Sequence, residues 1–225
     1  MISINQVLEK KLYSAALSGS SADSILSQMI ELGLKRSGQF KSAEQVSKIL
    51  CGVMEREKLG STGIGRGIAI PHFVDCEVDA SIFFIGRSAS EIEYNSLDGD
   101  PVQLFFLVIS SDVETRIRSL ALIAKAIHAN GLVDSLLDSN TDDQMREVLL
   151  NYSNAFEQEK NLGVPAQIEV KLVFPPDSSD EMIQNAVVDA AIELNNAYRE
   201  AGGAGLRIDD VSLEEPAVAP MGAPQ

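Results

Sequence analysis

The sequence predicts an α/β protein whose sheet is covered by helices on both faces. Three features predict it. Residues 80–85, Ala-Ser-Ile-Phe-Phe-Ile, and 102–109, Val-Gln-Leu-Phe-Phe-Leu-Val-Ile, are strand-length runs rich in β-formers and apolar on both faces. Strands of that kind need helices above and below them. Capped, amphipathic helical stretches flank them, so the order along the chain is helices, strands, then helices.

In chain order, residues 22–35 predict an early helix with Ile25, Met29 and Leu32 as a rough stripe, weakened by Gly33. A clearer helix follows Ser42, an N-cap with Gln45 at the capping-box spacing. Val46, Ile49, Leu50, Val53 and Met54 form its apolar stripe. The glycine-rich string from Gly60 to Gly67 ends that helix and predicts a loop. Gly67–Ile70 is a short apolar strand, and Asp98-Gly-Asp-Pro101 is turn chemistry ahead of the long strand at 102–109. Ser111 is the expected cap of the next helix, with Glu114 at the capping-box position and Val113, Ile117, Leu120, Ala124 and Ile127 on one face. His128 falls at that helix's end, where a partial positive charge is favourable. Thr141 caps a further helix, with Gln144 three residues on.

The chain has 225 residues and a formal net charge of −15, from 18 Lys and Arg against 33 Asp and Glu. That balance excludes a nucleic-acid binder, which needs clustered basic residues. The longest apolar runs are strand-sized, so no membrane span is expected, and the opening residues lack the basic and apolar regions of a signal peptide. The two cysteines, Cys51 and Cys76, make neither a disulfide framework nor a zinc set. A cytoplasmic protein without cofactor or metal is expected. Cys51, on the stripe side of its helix, reads as a buried thiol. Cys76 lies between Asp75 and Glu77, an acidic setting that makes a poor thiolate.

The charge is uneven. Residues 1–155 hold 20 acids against 14 bases, net −6, and residues 156–225 hold 13 against 4, net −9. This shift and the polar stretch around it set the expected organisation: a first domain over 1–155, a linker over 156–166, a small β-α-β unit over 167–214 and a disordered tail over 215–225. In the β-α-β unit, residues 167–174 alternate as a half-buried strand, 180–194 form a helix ended by Gly202-Gly203, and 206–213 form a second strand. A core of that size is too small to stand by itself, so the unit either docks on the first domain or pairs with a second copy. The tail holds three of the eight prolines.

The informative segment is Arg56-Glu-Lys-Leu followed by Gly60-Ser-Thr-Gly-Ile-Gly-Arg-Gly-Ile-Ala-Ile-Pro-His72. Four glycines within eight residues let the backbone turn and present N–H groups, and Ser61 and Thr62 add hydroxyls, a way to build an anion pocket without a lysine. The string is neither a Walker A loop nor a G-x-G-x-x-G fingerprint. On composition alone, a plain turn is the commoner reading of such a string, Arg56 reads equally as a solvated helix-end charge, and a histidine after proline is more often structural than catalytic.

The whole string resembles the active-site signature of the type-2 IIA proteins of the bacterial phosphoenolpyruvate-dependent sugar phosphotransferase system. These are the fructose/mannitol class and the related nitrogen-regulatory proteins. The resemblance extends over roughly residues 1–153. It implies a three-layer α/β/α fold around a mixed sheet. It also implies a phosphoryl group carried on His72 and stabilised by Arg56, with Ser61, Thr62 and Gly63 as neutral donors. The implied partners are a histidine phosphocarrier protein that supplies the group and a IIB protein or regulated target that receives it. Arg116 stands where the family has a second histidine. An arginine cannot titrate with the phosphate, and holding phosphohistidine tightly would slow onward transfer. A regulatory phosphocarrier is therefore expected. The alternatives are a binding module that has lost efficient transfer and an ordinary sugar-uptake IIA protein. Phe73 replaces a small residue of the family, and its bulk is expected to narrow the approach to His72.

Overall fold

The computed structural model describes residues 4–127, 129 and 131–161, with side chains as far as residue 155. The linker beyond Asn161, the β-α-β unit, the tail and His128 lie outside the described residues. The elements in order are α1 (Ile4–Glu9), β1 (Tyr13–Leu17), α2 (Ala22–Ser37), α3 (Ala43–Lys58), β2 (Gly63–Gly65), β3 (Ile68–Ala69), β4 (His72–Val74), β5 (Ile82–Ile92), β6 (Val102–Ser110), α4 (Val113–Ile127), α5 (Leu132–Leu137) and α6 (Asp142–Asn161).

Among the described residues the sheet has six strands, in the order β1-β5-β6-β3-β2, with β4 also paired to β6. It is mixed: β5 runs antiparallel to β6, whereas β1 is parallel to β5, and β3 and β4 are parallel to β6. Helices α2 and α3 cover one face, and α4, α5, α6 and α1 form the opposite layer. This is the three-layer α/β/α architecture with a mixed sheet. The long strands predicted at 80–85 and 102–109 are its centre, with Phe84, Phe105 and Phe106 fully buried.

Strands β3 and β4 are one strand with a gap. Ile68 and Ala69 pair with Leu104 and Phe105, and His72 and Phe73 pair with Val108 and Ile109, so the register along β6 never changes. The gap falls at Ile70-Pro71, where proline has no N–H for the ladder, although its carbonyl still accepts from the Val108 N–H at 2.9 Å.

Several local expectations need correction. The Gly60–Gly67 string is not loop throughout: Gly63–Gly65 forms β2 and turns back on β3. The hairpin tip, Gly65-Arg66-Gly67, has positive φ at all three residues. Asp98 holds it by accepting the Arg66 N–H at 2.8 Å. Ser111 is not the cap of α4. Asp112 takes that place, accepting the Thr115 N–H at 2.7 Å and the Thr115 hydroxyl at 2.8 Å, because a carboxylate outcompetes a serine hydroxyl for these donors. Val113 therefore sits at the surface. Cys51 is exposed, one residue off the buried line of Val46, Ile49 and Val53. Ser42 does accept the Gln45 N–H, but the Gln45 side chain reaches past it to the Lys41 N–H. Thr141 and Gln144 form the reciprocal box as expected.

Candidate functional site

The site lies where the C-terminal end of α3, the β2–β3 hairpin and β4 meet. Alternation along β4 decides which way its side chains face. Asp75, just past β4, takes an ion pair from Lys48 of α3 at 3.1 Å, and the Phe73 ring lies where a Cβ on Gly52 of α3 would stand. Residues 73 and 75 thus face α3. His72 faces the other way, toward the layer of α4. Phe73 consequently does not narrow the approach to His72, contrary to expectation: its bulk goes into the space left by Gly52.

His72 is buried, at 4% exposure. Its Nδ1 lies 2.9 Å from the Ile70 carbonyl oxygen, which can only accept, so Nδ1 carries the proton. Nε2 then holds the lone pair, and it accepts a hydrogen bond from Arg56 Nε at 3.2 Å. The Ile70 carbonyl thereby fixes the tautomer that leaves Nε2 nucleophilic. Among the described residues β4 pairs with β6 alone, and Arg56 of α3 reaches the ring of His72 from the helix end. Its Nη1 donates to the Gly60 carbonyl at 2.9 Å, which steadies the guanidinium.

Glu57, next to Arg56, was not singled out in the sequence, yet it organises the loop. Its Oε1 accepts the Ser61 hydroxyl at 2.8 Å and the Thr62 N–H at 2.7 Å. Its Oε2 accepts the Thr62 hydroxyl at 2.5 Å and the Tyr94 hydroxyl at 3.3 Å. Burial, reinforced by the Glu57 charge, pushes the Tyr94 phenol far above its ordinary value, so Tyr94 stays a neutral donor. The two loop hydroxyls expected to face an anion are thus turned onto Glu57 in this structure. The Gly63 N–H is likewise spent, on the Ser61 hydroxyl at 3.1 Å. Arg116 is buried on the first turns of α4, which packs against β4 and β6 on the face that His72 occupies. The structure therefore brings Arg56 onto His72 directly and places Arg116 in the layer that His72 faces.

This strand-and-proline approach to a buried histidine, under an arginine from the preceding helix, spans the string singled out above. The family model for the EIIA 2 component of the phosphoenolpyruvate-dependent sugar phosphotransferase system matches residues 6–152. The chain belongs to this family.

Among relatives of this EIIA 2 chain, a nitrogen regulatory protein of Pseudomonas aeruginosa is 28% identical over 156 residues, covering 68% of this chain and 99% of that protein. A fructose-specific EIIABC component of the phosphotransferase system from Bacillus subtilis is 24% identical over 148 residues, 65% of this chain. The match spans only 23% of that Bacillus protein's length. A nitrogen regulatory protein of Klebsiella oxytoca is 31% identical over 100 residues, 62% of its length. The crystal structure of the nitrogen regulatory protein IIA-Ntr from Neisseria meningitidis shares the fold, with a TM-score of 0.51 at 24% identity over 63% of this chain and 99% of that one. Among the described residues, no helix is long and apolar enough to cross a membrane, and no cluster of His, Cys, Asp and Glu is placed to hold a metal ion.

Proposed function

We propose that this EIIA 2 protein is a cytoplasmic phosphocarrier that accepts a phosphoryl group on His72 from the phosphohistidine of a small carrier protein, and that it serves regulation rather than sugar uptake. The observation that carries this reading is the Ile70–His72–Arg56 arrangement, with one imidazole nitrogen tied to a carbonyl and the other presented to a guanidinium. In the transfer, Nε2 gives its lone pair to phosphorus while the donor's P–N bond breaks and its electron pair stays on the donor imidazole. The Nδ1 proton remains on His72, held by the Ile70 carbonyl. Arg56 shifts from Nε2 to the equatorial oxygens, where a fixed cation stabilises the transferred charge. Ser61, Thr62 and Gly63 support the site by shaping the hairpin through Glu57; they reach the phosphoryl group only if that network opens.

The nitrogen regulatory relatives support a regulatory role, and so does Arg116. A buried arginine in the layer that His72 faces stabilises a phosphoryl dianion in the ground state, and tight ground-state binding slows onward transfer. The same residue favours the second reading, a binding module without turnover. The receiver is a IIB protein or a regulated target. Residues 1–155 carry this function, with a separate unit over 167–214.

Incubation with phosphoenolpyruvate, enzyme I and the histidine carrier protein tests the reading by intact mass. A gain of about 80 Da, the mass of one phosphoryl group, is expected on the wild type and none on His72→Ala. A wild-type protein that gains nothing, or a His72→Ala variant that gains equally, refutes it.

A further inference from the structure

We propose that the Ser110 hydroxyl is a phosphoryl-binding donor of the His72 site; this rests on reading His72 as the phosphoryl acceptor. Ser110 ends β6 and is fully buried, at 0% exposure, and its Oγ has no hydrogen-bond partner among the described residues. A buried hydroxyl without a partner loses its water and gains nothing in return, a condition that the Ser96 hydroxyl, packed against Gly63, shares among the described residues.

Its position says what it is for. His72 is the register partner of Val108, and Val74 is the partner of Ser110, in a parallel ladder. Paired residues of a sheet share a face, and positions two apart share it too. His72 and Ser110 therefore project to the same side, away from α3, as diagonal neighbours of the kind that lie roughly 7–8 Å apart. A phosphoryl group on an imidazole nitrogen extends across such a gap. The other polar groups near β4 lie elsewhere. Asp75 faces α3 and is paired with Lys48. The Ser61 and Thr62 hydroxyls are committed to Glu57. Beyond Ser110 the chain enters α4, which carries the buried Arg116. Among the hydroxyls of β4, β6 and the Gly60–Gly67 segment, Ser110 is the one whose proton is uncommitted and whose side chain faces with His72.

Three consequences separate this role from a packing role. Removing the hydroxyl leaves the unphosphorylated protein as stable or more stable, since an unsatisfied polar group goes with it. It shortens the life of the phosphorylated form, because a fixed donor stabilises the bound dianion more than a loose transition state in which the group is departing. It also changes the phosphorus environment.

The test phosphorylates the full chain chemically with phosphoramidate. The phosphoryl group moves from the reagent nitrogen to Nε2 and ammonia leaves, so no partner protein is required. Wild type, Ser110→Ala, Ser110→Cys and His72→Ala are compared by intact mass, phosphorus NMR, phosphohistidine half-life and thermal melting. Ser110→Ala is expected to keep or raise the melting temperature, to shift the phosphorus resonance and to shorten the half-life by about ten-fold, the scale of one charge-assisted hydrogen bond. Ser110→Cys, a weaker donor, falls between. An unchanged half-life and resonance in Ser110→Ala overturns the inference, and so does a loss of melting temperature without a change in half-life. Label that persists in His72→Ala at the wild-type level overturns it as well. A Ser110 effect after chemical phosphorylation, with no transfer from the carrier protein, upholds the hydroxyl's role and refutes the phosphocarrier reading alone.

Discussion

Glu57 occupies a place that local helix physics disfavours. A carboxylate on the last turn of a helix meets the negative end of the dipole, a cost of about 0.3–1 kcal/mol. Its four donors from Ser61, Thr62 and Tyr94 offset that cost and tie the loop to the end of α3. This residue was legible in the sequence only as a conflict: an acid where a base is preferred, beside the arginine of the signature. Nothing local announces Tyr94, 37 positions away, as its partner. His72 and Arg56 were legible because the string around them is specific, whereas the commitment of the Ser61 and Thr62 hydroxyls was not, since a hydroxyl's partner depends on the folded loop. Glu57→Ala removes the acceptor of the Thr62 N–H and leaves the Thr62 and Tyr94 hydroxyls only each other, at 3.4 Å. It is expected to destabilise the protein by about 2–3 kcal/mol in urea denaturation, near the upper range for hydrogen bonds to a charged group. A loss below about 0.5 kcal/mol would show that the loop holds without it.

At the scale of elements, the strongly patterned segments formed as expected, and those defined by distant partners did not announce themselves. Strand β1 is Tyr-Ser-Ala-Ala-Leu, a segment of weak strand propensity. It is a strand because β5 pairs with it and because its open edge is closed from elsewhere. Asp142 of α6 accepts the Ala15 N–H at 2.8 Å, and Arg36 of α2 donates to the Tyr13 carbonyl at 2.6 Å. Two elements around the site yield predictions. Gly52 and Phe73 are complementary, since a Cβ on Gly52 would stand 2.4 Å from the ring. Gly52→Ala should cost about 1–3 kcal/mol by overpacking, and most of that cost should vanish in the Phe73→Ala background. Additive losses in that double-mutant cycle would place the ring elsewhere.

The N-terminus of α4 responds to acid. The Thr115 N–H, then the Thr115 hydroxyl, holds the Asp112 carboxyl below its ordinary range. A carboxyl depressed by folding contributes its full stabilisation above the unfolded value of about 3.9, and that contribution fades as pH falls through the folded value. Asp112→Asn retains a neutral cap, so the stability gap between it and wild type should be present at pH 7 and close as pH falls below the ordinary carboxyl range and through the depressed folded value. A gap that does not change with pH would mean the charge contributes nothing. Asp112→Ala should cost about 1 kcal/mol at pH 7, the usual scale for a lost cap.

For the molecule as a whole, the question is whether the unit seen here stands alone. The net −15 of the chain divides into −6 over residues 1–155 and −9 beyond, so most of the negative charge lies outside the family match, which ends at residue 152. The described unit closes on itself: the Ser153 hydroxyl of α6 donates to Asn5 of α1 at 2.6 Å, and Asp142 seals β1. Helix α6 continues to Asn161, into the stretch expected to be linker, with Met145 and Leu149 fully buried. Among the described residues the core closes where the last helix returns to the first, the anatomy of a unit that folds by itself. A chain ending at Asn161 should therefore unfold in one cooperative transition, with a melting temperature within about 5 °C of the full chain, equivalent to roughly 1–2 kcal/mol at this size. It should also take phosphoryl label on His72 to the same extent. A truncated chain that aggregates or melts broadly would mean that residues 162–225 complete the core. A stable one that no longer accepts label from the carrier protein would assign those acidic residues to partner recognition.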